Sequence, residues 1–263
     1  MSKRRRKKSS GVVSWILIMI CLIVFCGSGA KLLFYFWDKF QAEQEFAQIR
    51  ESARDLSDVY AQNHDLIGWI KIEDTKIDYP VMQTPQDPEY YLHTDFNGEY
   101  SASGTPFLDA ASVVMPRTFV DNHGETYELN VTWNWLIYGH NMKSGTMFAA
   151  LQKYDSQEFW EGHKTFTFDV YHPDTGVTES GVYEIFAVSR SQIKASDSNA
   201  FQYYKYAGYT DEQKFYEFVS GVKAESSYET GITPQFGDQL VTLSTCAYHV
   251  DEGRMYIVGR RVQ

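Results

Sequence analysis

Cysteine is scarce. The 263 residues hold three, and two of them, Cys21 and Cys26, lie inside one apolar run. Cys246 is therefore the single cysteine of the remaining chain, which excludes an intramolecular disulfide framework there and flags a free thiol. Acidic residues are missing before Asp38, and six of the 24 Lys and Arg fall in Lys3–Lys8, so the rest of the chain sets 18 basic against 34 acidic residues. A surface so short of clustered Lys and Arg excludes nucleic acid as a partner, because phosphates need such clusters. No group of His, Cys, Asp and Glu has metal-ligand spacing, and no acidic motif suggests calcium, so neither a metal nor a cofactor is expected. No internal repeat or low-complexity segment follows the N-terminus, and the length suits one large domain or two small ones.

What is present begins with the basic cluster and the run Gly11–Ala30, about 20 residues without a charge, enough to cross roughly 30 Å of hydrocarbon as a helix. The cluster should stay cytoplasmic, with everything after Lys31 outside and Phe34–Trp37 as an aromatic belt at the outer interface. The expected organisation is a basic tail over residues 1–10, an uncleaved single-pass signal anchor over 11–37, an amphipathic helix over 38–64 and a catalytic domain over 65–263. The rival is a cleaved signal peptide, with Ser28 and Ala30 as its small residues; the run is longer than an ordinary signal core.

Asp38–Asn63 predicts one helix. Ala42, Phe46, Ile49, Ala53, Leu56 and Tyr60 recur at spacings of four and three and make one apolar stripe, suited to packing on the following domain rather than to a short coiled coil. The 16% aromatic content leans toward β structure. Strands are expected at Trp69–Ile72, Lys76–Met82, Thr105–Asp109, Leu129–Tyr138, Thr165–Tyr171 and Val182–Arg190, with a polar loop over Val120–Glu125 and a short helix over Met147–Tyr154. A capping box, Thr210-x-x-Gln213, followed by Phe215, Phe218, Val219 and Val222, predicts a helix over Thr210–Ala224. That helix either walls a substrate groove or covers a sheet edge.

The last stretch organises the rest. Leu240–Cys246 and Met255–Val262 read as two strands linked by His249–Gly253. Paired as a hairpin, they bring Cys246 and Arg254 within reach across the ladder. A thiol beside a guanidinium is a candidate nucleophile with an anion stabiliser; the bland alternative is a small buried hydrophobe and a surface Arg. Two histidines have suggestive contexts. His140 follows Gly139 at a strand-to-helix corner, and His249 lies three residues past Cys246, in the loop, where strand geometry gives no assurance that it faces the thiol. His140 is the preferred partner.

Thr242-Leu243-Ser244-Thr245-Cys246 with Arg254 resembles the sortase signature, and Tyr138-Gly139-His140-Asn141-Met142 resembles its histidine motif. The helix before the first strands and the helix before the last two are similar to class B sortases in particular, as are Trp69–Met82, Tyr90-Tyr91-Leu92 and Gly104–Asp109. The resemblance covers Asp38–Gln263. It implies a mostly β fold, a closed and mainly antiparallel barrel of about eight strands with flanking helices. It implies a cysteine transpeptidase, of the hydrolase and peptidase class, at the outer face of a Gram-positive-type cell membrane. Such an enzyme cleaves a C-terminal sorting motif of secreted surface proteins after Thr and joins the carbonyl to an amine of a cell-wall precursor or a pilin Lys. The motif implied is Asn-Pro-x-Thr-like or Pro-x-Thr-like. By the same resemblance Cys246 is the nucleophile, His140 the acid and base, and Arg254 the oxyanion stabiliser, with Ser244 and Leu92 as substrate contacts. Two other classes stay open: an extracellular cysteine protease or peptidoglycan endopeptidase, in which water replaces the amine, and a non-catalytic membrane-tethered binding module.

Overall fold

Strand Leu240–Cys246 is buried along nearly its whole length, as expected of a Val, Thr and Leu run with apolar groups on both faces, and the sheet closes around it. A computed structural model describes residues 10–52, 55–120, 123–192, 201–246 and 253–263. The link between Cys246 and Gly253, with His249, lies outside the described residues, as do the basic cluster and residues 193–200. By contacts the chain divides into Met1–Glu45 and Phe46–Gln263.

Helix α1 (Ser10–Ser52) is followed by α2 (Leu56–Gln62). Ser14–Phe34, 21 residues of mean hydropathy 2.4, is long and apolar enough to cross a membrane. The one helix expected over Asp38–Asn63 is instead interrupted. Asp55 has extended backbone and its side chain accepts from Ser57 N, so it caps a new helix. The apolar stripe runs through the break because the residues on either side serve the same core. In the second unit Phe46, Ile49, Leu56 and Val59 are buried, and the Phe46 ring meets Tyr79 edge-on at 5.1 Å.

The strands are β1 (Leu66–Lys71), β2 (Asp78–Met82), β3 (Phe107–Leu108), β4 (Arg117–Val120), β5 (Thr126–Leu129), β6 (Asn134–Tyr138), β7 (Thr165–His172), β8 (Val177–Glu179), β9 (Val182–Gln192), β10 (Leu240–Cys246) and β11 (Gly253–Arg261). The sheet order is β1-β2-β3-β6-β10-β11-β9-β7-β8, and β1 also pairs with β7. That extra pairing closes eight strands into a barrel and leaves β8 as a flap on β7, so the barrel proper has no free edge. Two of its pairings, β2 with β3 and β6 with β10, are parallel; the rest are antiparallel. The fold is the mostly β, sortase-type barrel that the motifs imply.

Several elements differ from expectation. Leu129–Tyr138 is not one strand: Leu129 ends β5, and β6 starts at Asn134. The polar stretch that begins at Val120 falls between β4 and β5, which pair as a separate two-stranded sheet. Tyr90–Leu92 is a 3₁₀ turn, and the helix expected at Met147–Tyr154 is a 3₁₀ run over Phe148–Asp155 followed by α3 (Gln157–Gly162). Helix α4 (Glu212–Ala224) starts one residue later than the capping box requires. Asp211 is its cap and accepts from Lys214 N, a role Asp fills as well as Thr. Phe215, Phe218, Val219 and Val222 of α4 pack on Trp133, Leu136, Tyr256 and Val258 of the barrel flank. At about 1.5–3 kcal/mol per buried side chain, this face is what keeps a 13-residue helix folded.

Candidate active site

β10 and β11 pair residue for residue from Leu240↔Arg260 to Cys246↔Arg254. Cys246 ends its strand partly exposed, and Arg254 stands directly opposite. On the other side β6 runs parallel to β10, with Tyr138 opposite Ser244. Parallel neighbours deliver their C-terminal ends to the same end of the sheet. His140, two residues past Tyr138, therefore leaves the barrel at the end where Cys246 stops. The corner is tied to β10 by Gly139 N donating to Ser244 O at 3.1 Å and by Thr245 Oγ1 donating to Gly139 O at 2.6 Å. A Cβ at Gly139 would lie 2.6 Å from the Phe148 ring, so a side chain there would have to displace it.

His140 Nε2 lies 2.8 Å from the carbonyl of Leu92. A carbonyl only accepts, so Nε2 carries the hydrogen and Nδ1 is the basic atom of the neutral ring. The carbonyl is held in turn by a tight turn. Gly104 sits at φ +56°, and a Cβ there would meet Leu92 O at 2.5 Å. The His93 ring stacks on His140 with centroids 5.6 Å apart. Burial pushes the His140 imidazole below its ordinary value, the bond to Leu92 works against this, and His93 adds to the depression.

These residues open on one cavity of about 360 Å³, and its lining includes Cys246, His140, Arg254, Ser244 and Leu92. All five site residues expected from sequence thus meet there, though not in equivalent ways. Ser244 is 1% exposed, and its hydroxyl is 2.7 Å from Tyr203 OH. Leu92 contributes its carbonyl to His140 as well as its place in the wall. Arg254 Nη1 donates to Gly253 O at 3.1 Å, and its charge acts on both Tyr138 and Tyr203. Burial pushes Tyr203 up to about 12, so it stays a neutral hydroxyl. Tyr138 OH donates to Asp109 Oδ2 at 3.0 Å. The arrangement offers a thiol, an imidazole with one basic nitrogen and a permanent cation around an otherwise largely apolar groove.

No residue of α4 lines the cavity. Tyr203 and Tyr204 of the preceding 3₁₀ turn Tyr203–Tyr206 do so instead, and α4 covers the flank. Sequence reasoning missed these tyrosines, although FQYYKYAGY was a visible aromatic cluster, and it missed Glu89 and Asp109, which carry no pattern. Of the other described histidines, His172 pairs with Glu179, His163 Nδ1 bonds Phe159 O, and His64 meets Tyr60 edge-on. Among the described residues no group of three or more His, Cys, Asp and Glu could hold a metal.

No family model matches the chain. Sortase B of Listeria monocytogenes is 34% identical over 217 residues, spanning 82% of this chain and 76% of the relative. Solved structures share the fold, two of which serve as examples. One is a Staphylococcus aureus sortase B-substrate complex, with TM-score 0.69 and 23% identity, covering 86% of this chain and 98% of the other. The second is a sortase B complexed with triglycine, with TM-score 0.69 and 23% identity, covering 86% and 99%.

Proposed function

Since the chain belongs to the class B sortases, we propose that it is a membrane-anchored cysteine transpeptidase that cuts a C-terminal sorting motif after Thr and transfers the acyl group to an amine. The observation that carries this reading is the register pair Cys246↔Arg254 at the mouth of a cavity that His140 also lines. Cys246 gives its proton to His140 Nδ1, and the thiolate attacks the carbonyl. The C–N bond breaks, and His140 returns the proton to the leaving amine. An incoming amine then loses a proton to Nδ1 and attacks the thioester, and the thiolate leaves. One amide is broken and one is made. Arg254 stabilises the oxyanion at each tetrahedral stage and moves no proton. Leu92 and Ser244 contact the peptide, Ser244 from a floor shared with Tyr203.

The motif is of the Asn-Pro-x-Thr or Pro-x-Thr type, and the acceptor is an amine of a peptidoglycan precursor or a pilin Lys. The triglycine complex of the related sortase supports an acceptor with a free α-amine. The Ser14–Phe34 segment supports a single-pass anchor, and Lys3–Lys8 supports a cytoplasmic N-terminus. The domain order is tail 1–10, anchor 11–37, helical stalk 38–64 and catalytic barrel 65–263. The test is intact mass of the full chain in detergent after incubation with a library of sorting-motif peptides, with and without triglycine, beside Cys246→Ala. A Cys246-dependent acyl adduct that triglycine converts to ligated peptide is expected. An adduct that only water resolves would make the protein a hydrolase, and no adduct at all would make it a binding module.

A further inference from the structure

β10 outlasts its neighbour. The last residue of β6, Tyr138, is paired with Ser244, and Gly139 N adds one bond to Ser244 O. The next carbonyl of β10 on that side is two residues on, at Cys246, since strand groups alternate with period two. Among the described residues no strand meets it. Two side-chain amides do so: Asn141 Nδ2 at 2.8 Å and Gln152 Nε2 at 3.3 Å. Asn141 is the chain neighbour of His140 and forms a bridge with Met147. The carbonyl of His140 itself accepts from Phe148 N at 2.9 Å. Gln152 belongs to the 3₁₀ run Phe148–Asp155 that follows. Both donors therefore come from the segment that carries the histidine, and the acceptor is the backbone of the cysteine. Neither amide lines the cavity.

We propose that Asn141 and Gln152 are positioning residues that continue the β6–β10 ladder in side-chain form and so fix Cys246 Sγ relative to His140. The proposal rests on the transpeptidase reading above. Tetrahedral geometry at Cα ties Cβ to the backbone N, Cα and carbonyl C of Cys246, so holding the Cys246 carbonyl in place holds the strand end from which Sγ projects. A misplacement of about 1 Å at a reacting centre is worth about a hundredfold in rate. Because two donors share one acceptor, each covers in part for loss of the other.

The experiment uses the full chain in detergent as wild type, Asn141→Ala, Gln152→Ala, the double variant and Asn141→Asp. Three quantities are read: kcat and KM with a peptide carrying Asn-Pro-Ala-Thr and triglycine, melting temperature, and the rate of Cys246 alkylation by iodoacetamide against pH. Alkylation is followed on the tryptic peptide, beside His140→Ala. The double variant should lose about a hundredfold in kcat with KM within about threefold, more than the product of the single losses. Its alkylation profile should converge on that of His140→Ala. A folded double variant with wild-type kcat and profile overturns the proposal. If the double variant does not fold, Asn141→Asp decides. It is isosteric and turns an amide donor into a carboxylate oxygen facing a carbonyl, so an unchanged kcat there overturns the proposal equally. If the wild type is not acylated, the functional reading falls separately, and the alkylation profiles still decide the positioning role.

Discussion

The barrel has a cavity at each end, and their volumes do not tell which is the site. The one at Cys246 measures about 360 Å³ and the one at the start of β10, lined by Gln239, Arg261, His172 and Glu179, about 400 Å³. They are separated by the length of β10, on the order of 20 Å. Their chemistry differs. At the far end the polar groups satisfy one another. Arg261 bonds Glu179 through Nη1, Ser180 O at 2.9 Å and Gln263 O at 3.0 Å. Glu179 also takes His172 Nε2 at 3.1 Å, and the Gln239 amide goes to Thr132 O and Leu240 O. This is a closed network that fastens the chain end. At the Cys246 end side chains hold carbonyls too, those of Cys246, Gly139 and Leu92, but here a thiol, an imidazole and a guanidinium also line the groove. Held main chain is common to both ends; the cavity at the start of β10 lacks a thiol beside it.

The sharpest way to break this contrast is to exchange the fates of the two arginines. Cys246→Ala should abolish the acyl adduct outright. Arg254→Ala should cost about 10²–10³ in kcat, the usual effect of removing an oxyanion donor. Arg261→Gln should leave kcat unchanged and lower stability by at most about 1 kcal/mol, because its ion pair is partly exposed. Steady-state kinetics with thermal melts reads all three. Comparable kcat losses at both arginines would erase the distinction between the two ends.

A smaller effect should follow from disturbing the fastenings rather than the reactive groups. Gly139→Ala would drive a Cβ into the Phe148 ring, and Gly104→Ala would set one against the Leu92 carbonyl at a positive φ. Each should cost about 1–3 kcal/mol of stability by overpacking. Gly104→Ala should also lower kcat about tenfold by moving the acceptor of His140 Nε2. Denaturant melts and kcat on the same samples check both; a Gly104→Ala protein of normal kcat would free His140 from dependence on that turn.

Much of this was legible in the residues, and the reasons are local. β10 and β11 stand out because most of their residues are buried and Val, Thr, Leu, Tyr and Ile are concentrated in them. From that hairpin the pairing of Cys246 with Arg254 follows. The histidine corner was visible in Gly139-His140. The β4–β5 pair was not, because its described side chains are largely exposed and show no alternation. The apolar run through Val131 and Trp133 hid the gap between β5 and β6. The stripe through Ala53 and Leu56 hid the cap at Asp55. Tyr203 and Tyr204 of the cavity wall come from a 3₁₀ turn, which has no periodic signature. The amides on Cys246 O bridge 105 and 94 residues of sequence, a separation no spacing rule reaches.

The mildest perturbation acts on charge alone. His93 stacks on His140 without lining the cavity, and its positive form disfavours a proton on its neighbour. Burial is the larger cause of the depressed His140 value, and His93 adds to it. His93→Gln should therefore raise the His140 midpoint only partway toward the ordinary imidazole value near 6.5. The unfolded ring takes up its proton at higher pH than the folded one. His140 thus contributes stability that is complete above the ordinary histidine range and is lost as pH falls toward the depressed folded value. In the variant that loss should shrink. Nitrogen-15 NMR of the histidine rings in the full chain reads both the midpoint and the tautomer. The hydrogen should stay on Nε2, bonded to Leu92, in wild type and variant alike. A midpoint that does not move in His93→Gln would leave burial as the sole cause. A hydrogen found on Nδ1 would overturn the assignment of the basic atom on which the proton transfers depend.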